Sequence, residues 1–156
     1  MADALADAMV AVGPPTADAT TWVPLARRRL AERGYDQARV LARAVGGRLG
    51  LPVIRLTRRS VATTPQAQRP GGERRVAMRG AFEPIRHPAR VPRRVILVDD
   101  VLTTGATAAA CADALAAAGV HEVALLTAAR AFAGRGRGYT RTGSQPGLWL
   151  PGDLPR

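Results

Sequence analysis

The sequence predicts an α/β fold, with a central, mostly parallel sheet flanked by helices. Three observations carry that reading. Strand-like and helix-like segments alternate from Thr20 to about Thr127, the order that builds a parallel sheet. The segment Val95-Ile96-Leu97-Val98 is apolar at every position, and a strand without polar alternation is buried on both faces. An Ala-rich helix then follows it closely. At 156 residues the chain is long enough for one domain with a real core. The expected division is a domain over 1–132 and a Gly-, Arg- and Pro-rich tail over 133–156.

The elements follow in order. Residues 1–12 suit a short helix, with Leu5, Met9 and Val12 on one face, ended by Gly13-Pro14-Pro15. Thr20 to Leu25 reads as a first strand running into an Arg-rich loop with Arg27, Arg28, Arg29 and Arg33, closed by Gly34-Tyr35. Asp36 is a good N-cap for a helix whose apolar side carries Val40, Leu41, Ala44, Val45 and Leu49. Gly50 stops that helix, and Leu51 to Leu56 reads as a second strand. Thr57 to Arg79 is polar, holds Gly71-Gly72 and shows no apolar period; such a long loop in a compact domain is usually functional or disordered. Gly80 to Ile85 reads as an edge strand, and Val95 to Val98 as the strongest strand. A helix over about Ala106–Ala118 is closed by Gly119, and Val120 to Thr127 forms another strand. In the tail, Leu148-Trp149-Leu150 is the segment expected to dock back. No internal repeat is present.

Composition narrows the class. Apolar residues make up 47% and aromatic residues 4%, so the core must be built from Ala, Val and Leu. No apolar run approaches the ~20 residues of a membrane span. The N-terminus is acidic at Asp3 and Asp7, where a secretory signal would be basic; a cytoplasmic location is expected. Cys111 is the one cysteine, which excludes an internal disulfide and a multi-cysteine zinc site; it reads as a small core residue. His87 and His121, in a linker and at a strand start, read as structural or exposed. The net charge is +11, and all 23 basic residues are Arg against 12 acids. A GC-rich coding bias accounts for Arg in place of Lys but not for the excess of cations. A polyanionic partner or substrate fits that excess.

The segment after the strongest strand carries the chemistry. Asp99 and Asp100 stand at its carboxyl end, the edge where ligands of open α/β sheets bind. Thr103-Thr104-Gly105-Ala106-Thr107 then turns into a helix. Hydroxyls and free N–H groups at a helix start, with the positive end of its dipole, suit a phosphate, and Gly105 lets the backbone come close. Adjacent carboxylates can accept from ribose hydroxyls and can assist Mg²⁺ through water. No Lys follows the glycine, so this is not a Walker loop. Twin acids alone read as a solvated loop, and Thr-Thr-Gly alone as a helix cap. Their conjunction points to a socket for a sugar phosphate.

Residues 95–107 resemble the phosphoribosyl-pyrophosphate (PRPP) signature of type I phosphoribosyltransferases. From about Trp22 to Arg130 the chain further resembles one branch, the ComF family, associated with competence and related to amidophosphoribosyltransferases. Val23-Pro24-Leu25 with Arg29, Arg33, Gly34, Tyr35 and Gln37 looks like that family's first-strand loop. Pro65-Gln66 with Arg74, Arg75 and Arg79-Gly80-Ala81-Phe82 looks like its mobile loop. The resemblance implies a type I phosphoribosyltransferase-like fold with a minimal hood and a long mobile loop. It implies that Asp99 and Asp100 hold the ribose hydroxyls and, through water, Mg²⁺. Val101, Leu102, Thr103, Thr104, Gly105, Ala106 and Thr107 would complete the PRPP loop, with Thr103 to Thr107 cradling the 5-phosphate. Pro24, Leu25, Arg29, Arg33 and Gly34 would face pyrophosphate.

The sequence departs from the family's pattern in three places. The four-cysteine zinc module common at the family's start is missing from this sequence. Asp36 stands where Asn is common, and a carboxylate there repels pyrophosphate unless it caps the helix. Ala77 stands where Asn is common, which removes an amide.

Three functions are compatible with these residues. The first is Mg²⁺-dependent PRPP binding with phosphoribosyl transfer to an unidentified nitrogen acceptor. Asp99, Asp100, Arg29, Arg33, Arg74 and Arg75 are its candidate catalytic residues, with the last two arriving on the mobile loop. The second is a competence-associated nucleic-acid-binding protein, and the third a PRPP sensor without chemistry. Candidate partners are PRPP or another ribose 5-phosphate compound, single-stranded DNA, competence proteins and a second copy of the chain. The low aromatic content argues against a stacking platform for single strands.

Overall fold

The computed structural model describes residues 2–11, 16–60, 80–85, 91–130 and 148–149. Its main sheet is built from β1 (Ala19–Trp22), β4 (Arg94–Leu102), β5 (Glu122–Arg130) and β6 (Leu148–Trp149), in the order β1-β4-β5-β6. β1, β4 and β5 are parallel, and β6 pairs antiparallel with β5. β2 (Thr57–Arg59) and β3 (Phe82–Pro84) form a separate antiparallel ribbon. The helices are α1 (Ala2–Ala11), α2 (Arg27–Arg33), α3 (Gln37–Leu49) and α4 (Ala106–Ala117).

β4 is the middle of the core. Successive side chains of a strand point to opposite faces. Val95 and Leu97 accordingly pack with Cys111, Ala112 and Leu115 of α4 and with Leu56 and Phe82 from around the ribbon. Ile96 and Val98 pack the other way, against Leu41, Ala42 and Val45 of α3 and Ala6 of α1. Burial on both sides explains the unbroken apolar run. Each such side chain contributes roughly 1.5–3 kcal/mol by leaving water. α1 is tied to α3 by Arg48, which bonds Asp3 (3.1 Å) and Asp7.

Several elements differ from the sequence-based expectation. Arg27–Arg33 is a helix, not a loop. Arg is a good helix former, Arg28 pairs with Glu32 one turn on, and Gly34 closes the helix at φ 78°. It buries no residue, so no apolar period advertised it. In α3 the buried positions are Ala38, Leu41, Ala42, Val45 and Gly46, while Val40 is exposed. Residues 51–56 meet β1 at a single parallel bridge, Thr20 to Val53, instead of forming a strand. Pro52 offers only its carbonyl there, accepting from Thr20 N–H at 2.9 Å. The polar stretch expected from Thr57 begins with strand β2, and β3 pairs with that strand, not with the edge of the main sheet. β4 runs four residues past Val98, carrying both acids within the strand.

Cys111 is fully buried, as expected, and burial pushes its thiol up to about 12. Leu148 and Trp149 pair with Ala124 and Val123. No helix among the described residues is long and apolar enough to cross a membrane. Arg74, Arg75, Pro65, Gln66, Gly71, Gly72, Ala77, Arg79 and His87 lie outside the described residues, as do Val12, Leu150 and most of the tail.

Gly46 shows how tightly the Val53 segment is seated. A Cβ there would lie 2.7 Å from Val53 Cγ2 and 3.0 Å from the Leu51 carbonyl oxygen. Gly47, its neighbour, has nothing within 4 Å of the same position. Gly46→Ala should therefore destabilise by about 1–3 kcal/mol through overpacking, despite alanine's better helix propensity. Gly47→Ala should stabilise by up to about 1 kcal/mol. Urea denaturation of the two variants checks this; equal effects would contradict the seating of Val53 on α3.

Candidate functional site

The carboxyl end of β4 leads straight into the candidate site. Asp99 is 9% exposed, at the limit of the core, and Asp100 is half-buried. By strand alternation Asp99 shares the face of Val95 and Leu97, and Asp100 that of Ile96 and Val98. Asp99 Oδ1 accepts the Asp100 backbone N–H at 2.9 Å, and Asp100 Oδ1 accepts that of Val101 at 2.9 Å. Burial pushes the Asp99 carboxyl up to about 7, aided by the neighbouring Asp100 carboxyl and by the charge of Asp36. The two acids thus differ: one sits at the edge of the interior, the other nearer water.

The loop beyond them is open. Val101, Thr103 and Thr104 are exposed, while Leu102, Gly105, Ala106 and Thr107 are half-buried. Gly105 is the N-cap of α4 at φ 77°, and having no side chain it makes no cap bond of its own. The left-handed angle is what requires glycine, since a Cβ would meet only Leu102 Cδ1, at 3.8 Å. The Thr104 hydroxyl accepts from Ala106 N–H at 3.4 Å. The first helical carbonyl bond is Ala109 N–H to Gly105 O. Of the N–H groups ahead of it, that of Ala106 is bonded to Thr104, which leaves those of Thr107 and Ala108 for an anion.

The first-strand loop is held to this edge by one carboxylate. Asp36 Oδ2 accepts Trp22 Nε1–H at 3.2 Å and Leu25 N–H at 3.1 Å, and Oδ1 accepts Arg39 N–H at 3.3 Å as the cap of α3. Its charge is committed to three donors, the condition under which an acid is tolerated here. The Arg39 guanidinium lies 5.7 Å from the Trp22 ring centre. Pro24 is buried and Leu25 half-buried. Arg29 and Arg33 are exposed on α2, and Arg33 donates to Gln37 Oε1 at 2.8 Å.

Arg59 is a residue that sequence reasoning passed over, because it sat in an Arg-rich stretch read as loop. It is half-buried in β2, with its guanidinium 5.3 Å from the Phe82 ring centre. Burial and the charge of Arg29 lower its proton affinity. Cys111 feels both Asp99 and Arg59, so acid edge and Arg59 approach the same part of α4. His121 is exposed and its backbone N–H bonds Arg93 O.

The Asp99 shift has a testable sign. Its folded pKa, about 7, lies above the ordinary value near 4. Between those values the folded state holds a proton that the unfolded state has lost, so stability falls as pH rises through that window. Asp99→Asn removes the slope. Its melting temperature should match wild type near pH 4 and exceed it at pH 8, as thermal melts at both pH values will show. A difference independent of pH would mean the carboxyl is not held protonated.

Comparison with known proteins bears on the fold. No family model matches the chain. Competence protein F of Haemophilus influenzae is 35% identical over 111 residues, covering 70% of this chain and 48% of that protein. The chain thus spans about half the length of this relative. The glutamine PRPP amidotransferase of B. subtilis, solved with ADP and GMP, superposes over 81% of this chain and 26% of its own, with TM-score 0.57 and 20% identity. A structure described as the allosteric regulatory enzyme of purine biosynthesis covers 81% of this chain and 25% of its own, with TM-score 0.52 and 20% identity. Those two likenesses establish the fold, a type I phosphoribosyltransferase-like sheet with its flanking helices. The match to competence protein F is consistent with the ComF resemblance read from the sequence.

Proposed function

We propose that this edge binds PRPP with Mg²⁺ and transfers its phosphoribosyl group to a nitrogen acceptor, in a competence-related setting. One observation carries the reading: the Asp99–Asp100 pair runs within a few residues into a helix start at Gly105, on an open edge of the sheet. A sugar with a terminal phosphate has matching groups at matching ends. Its hydroxyls donate to carboxylates, and its phosphate accepts from the N–H groups and hydroxyls of Thr103 to Thr107.

The reaction displaces pyrophosphate at the anomeric carbon. The bond from that carbon to the pyrophosphate oxygen breaks as the bond to the acceptor nitrogen forms, and the acceptor loses a proton. Negative charge grows on the departing group, and Arg29 and Arg33, both exposed on α2, are proposed to meet it, Arg33 by exchanging its bond to Gln37. Arg74 and Arg75 are proposed to join them. Asp99 and Asp100 orient the ribose.

The donor set fits Mg²⁺ only in company with the substrate. Among the described residues no group of three or more His, Cys, Asp or Glu side chains forms a metal site. Two neighbouring carboxylates plus substrate phosphates are a common arrangement for this ion. Asp99 and Asp100 would hold it through water, and when bound it would neutralise phosphate charge.

A second reading is favoured by a separate feature. α2 presents Arg27, Arg28 and Arg29 to solvent beside exposed Leu30 and Tyr35, a surface suited to the backbone of single-stranded DNA. A PRPP sensor is the third outcome.

Calorimetric titration of PRPP·Mg²⁺ separates these readings. Wild type should bind, Asp99→Asn with Asp100→Asn should weaken binding by at least tenfold, and pyrophosphate should appear only with a suitable amine or base. Binding without release for any acceptor would favour the sensor. Salt-sensitive DNA binding that survives the double substitution would assign the DNA role to a separate surface. No PRPP binding at all would refute the transferase and sensor readings together.

A further inference from the structure

We propose that the corner where α2 turns into α3 is a docking surface for an acidic, amphipathic segment of a partner protein. Four large apolar side chains are exposed among the described residues, and three of them lie here: Leu30 (40%), Tyr35 (53%) and Val40 (41%). Helix geometry makes them neighbours. Leu30 and Arg33 stand about one turn apart on α2, as Gln37 and Val40 do on α3. Arg33 donates to Gln37 Oε1 at 2.8 Å and so joins the two pairs, with Tyr35 in the turn between them. Leu30 to Val40 is thus one continuous surface. The core does not need it. α2 buries no residue, and α3 packs inward through Ala38, Leu41, Ala42 and Val45.

Charge sets the sign of the partner. Residues 27–43 hold six arginines and two acids. Both acids are engaged within the chain: Glu32 pairs with Arg28, and Asp36 accepts from three N–H groups. Arg27 and Arg43 are exposed at either end of the surface, without a carboxylate partner among the described residues. The α2 portion alone suits a DNA backbone. Its continuation onto α3 adds Val40 and Arg43 and shifts the match to a protein. Tyr35 is the one aromatic ring between residues 27 and 43, too few for successive bases to stack. Leu30 and Val40 offer aliphatic surface that phosphates cannot use. Arg and Tyr are the side chains that anchor protein interfaces. Carboxylates of the partner meet Arg27 and Arg43 as planar forks, while its apolar side covers Leu30, Tyr35 and Val40. This docking does not depend on what the acid pair of β4 binds.

Fluorescence anisotropy on the full chain tests it with three labelled probes. They are a helical peptide with leucines on one face and glutamates on the other, an oligoglutamate of equal charge, and oligothymidylate. The amphipathic peptide should bind at least tenfold more tightly than oligoglutamate. Leu30→Ser, Val40→Ser and Arg43→Gln should each weaken it at least threefold; all three side chains are exposed, so the core stays intact. Arg93→Gln removes the same charge at an exposed position just ahead of β4 and should change it less than twofold. The Asp99→Asn, Asp100→Asn variant should keep peptide binding, which separates this result from that for PRPP. Equal affinity for the two peptides, or affinity indifferent to Leu30 and Val40, would mean a general attraction of a basic chain and overturns the docking surface. Tighter binding of oligothymidylate, lost in Tyr35→Ala but kept in Leu30→Ser and Val40→Ser, also overturns it and assigns the corner to DNA.

Discussion

A strand covered by helices on both faces can carry charge only where the cover ends. In β4 that point is Asp99. Everything from Val95 to Val98 is enclosed, with α4 and the ribbon on one side and α1 and α3 on the other. The first polar side chain therefore emerges at the rim, still 9% exposed. Its side chain is almost wholly out of water, and the same burial raises its proton affinity. A ligand bringing hydroxyl donors or a cation would favour the ionised form. The strand thus places an acid whose protonation is open to what binds beside it.

The helix start is a consequence of the same strand. β4 ends at Leu102, and the chain must reverse quickly to lay α4 back over Val95 and Leu97. Gly105 makes that turn in the left-handed region and, having no side chain, adds no cap bond of its own to α4. The residues that pack down, Ala108, Cys111, Ala112 and Leu115, are mostly small, which lets the helix sit close to the sheet. Twin acids and free N–H groups are neighbours because one strand is followed immediately by one helix. Asp36 fastens the other loop to this edge. It joins the end of β1, the backbone of Leu25 and the first turn of α3 in one carboxylate. Asn at this position could also cap the helix; aspartate adds a charge, which contributes to the shift at Asp99.

Legibility in the sequence followed from how each segment is buried. β4 and α4 could be read because their burial is complete and their turn chemistry explicit: four apolar residues, two acids, then Thr-Thr-Gly. Asp36 could be read as a cap, but not as the anchor of Trp22 and Leu25, since nothing local encodes a bond across fourteen residues. α2 was hidden because it buries nothing; a helix without an apolar face leaves no period. Val40 was misplaced because its apolar side chain suggested a core that Ala38 and Ala42 occupy instead. The ribbon was hidden by its brevity. Three residues per strand show no alternation, and Thr57 is buried against Cys111 (3.4 Å) by a contact between distant segments. Arg59 could not be told from Arg58 without knowing which face β2 presents.

The distribution of charge separates two meanings of the +11 total. An evenly spread excess would give a weak, general attraction for polyanions, screened within about 8 Å at physiological salt. Several arginines here are instead committed to particular carboxylates, and these pairs hold elements together: α1 to α3 through Arg48, and the start of β4 to the chain before β1 through Arg94 and Asp18. Arg29 and Arg59 stand apart from that bookkeeping. They come from different elements; the charge of Arg29 is felt at Arg59, and Cys111 of α4 feels both Arg59 and Asp99. Charges of both signs are therefore felt at Cys111 of α4, those of Asp99 at the end of β4 and of Arg59 in the ribbon. The overall charge draws anions in without choosing among them. Discrimination has to come from that local pairing of opposite fields, because it depends on where a ligand's own charges sit.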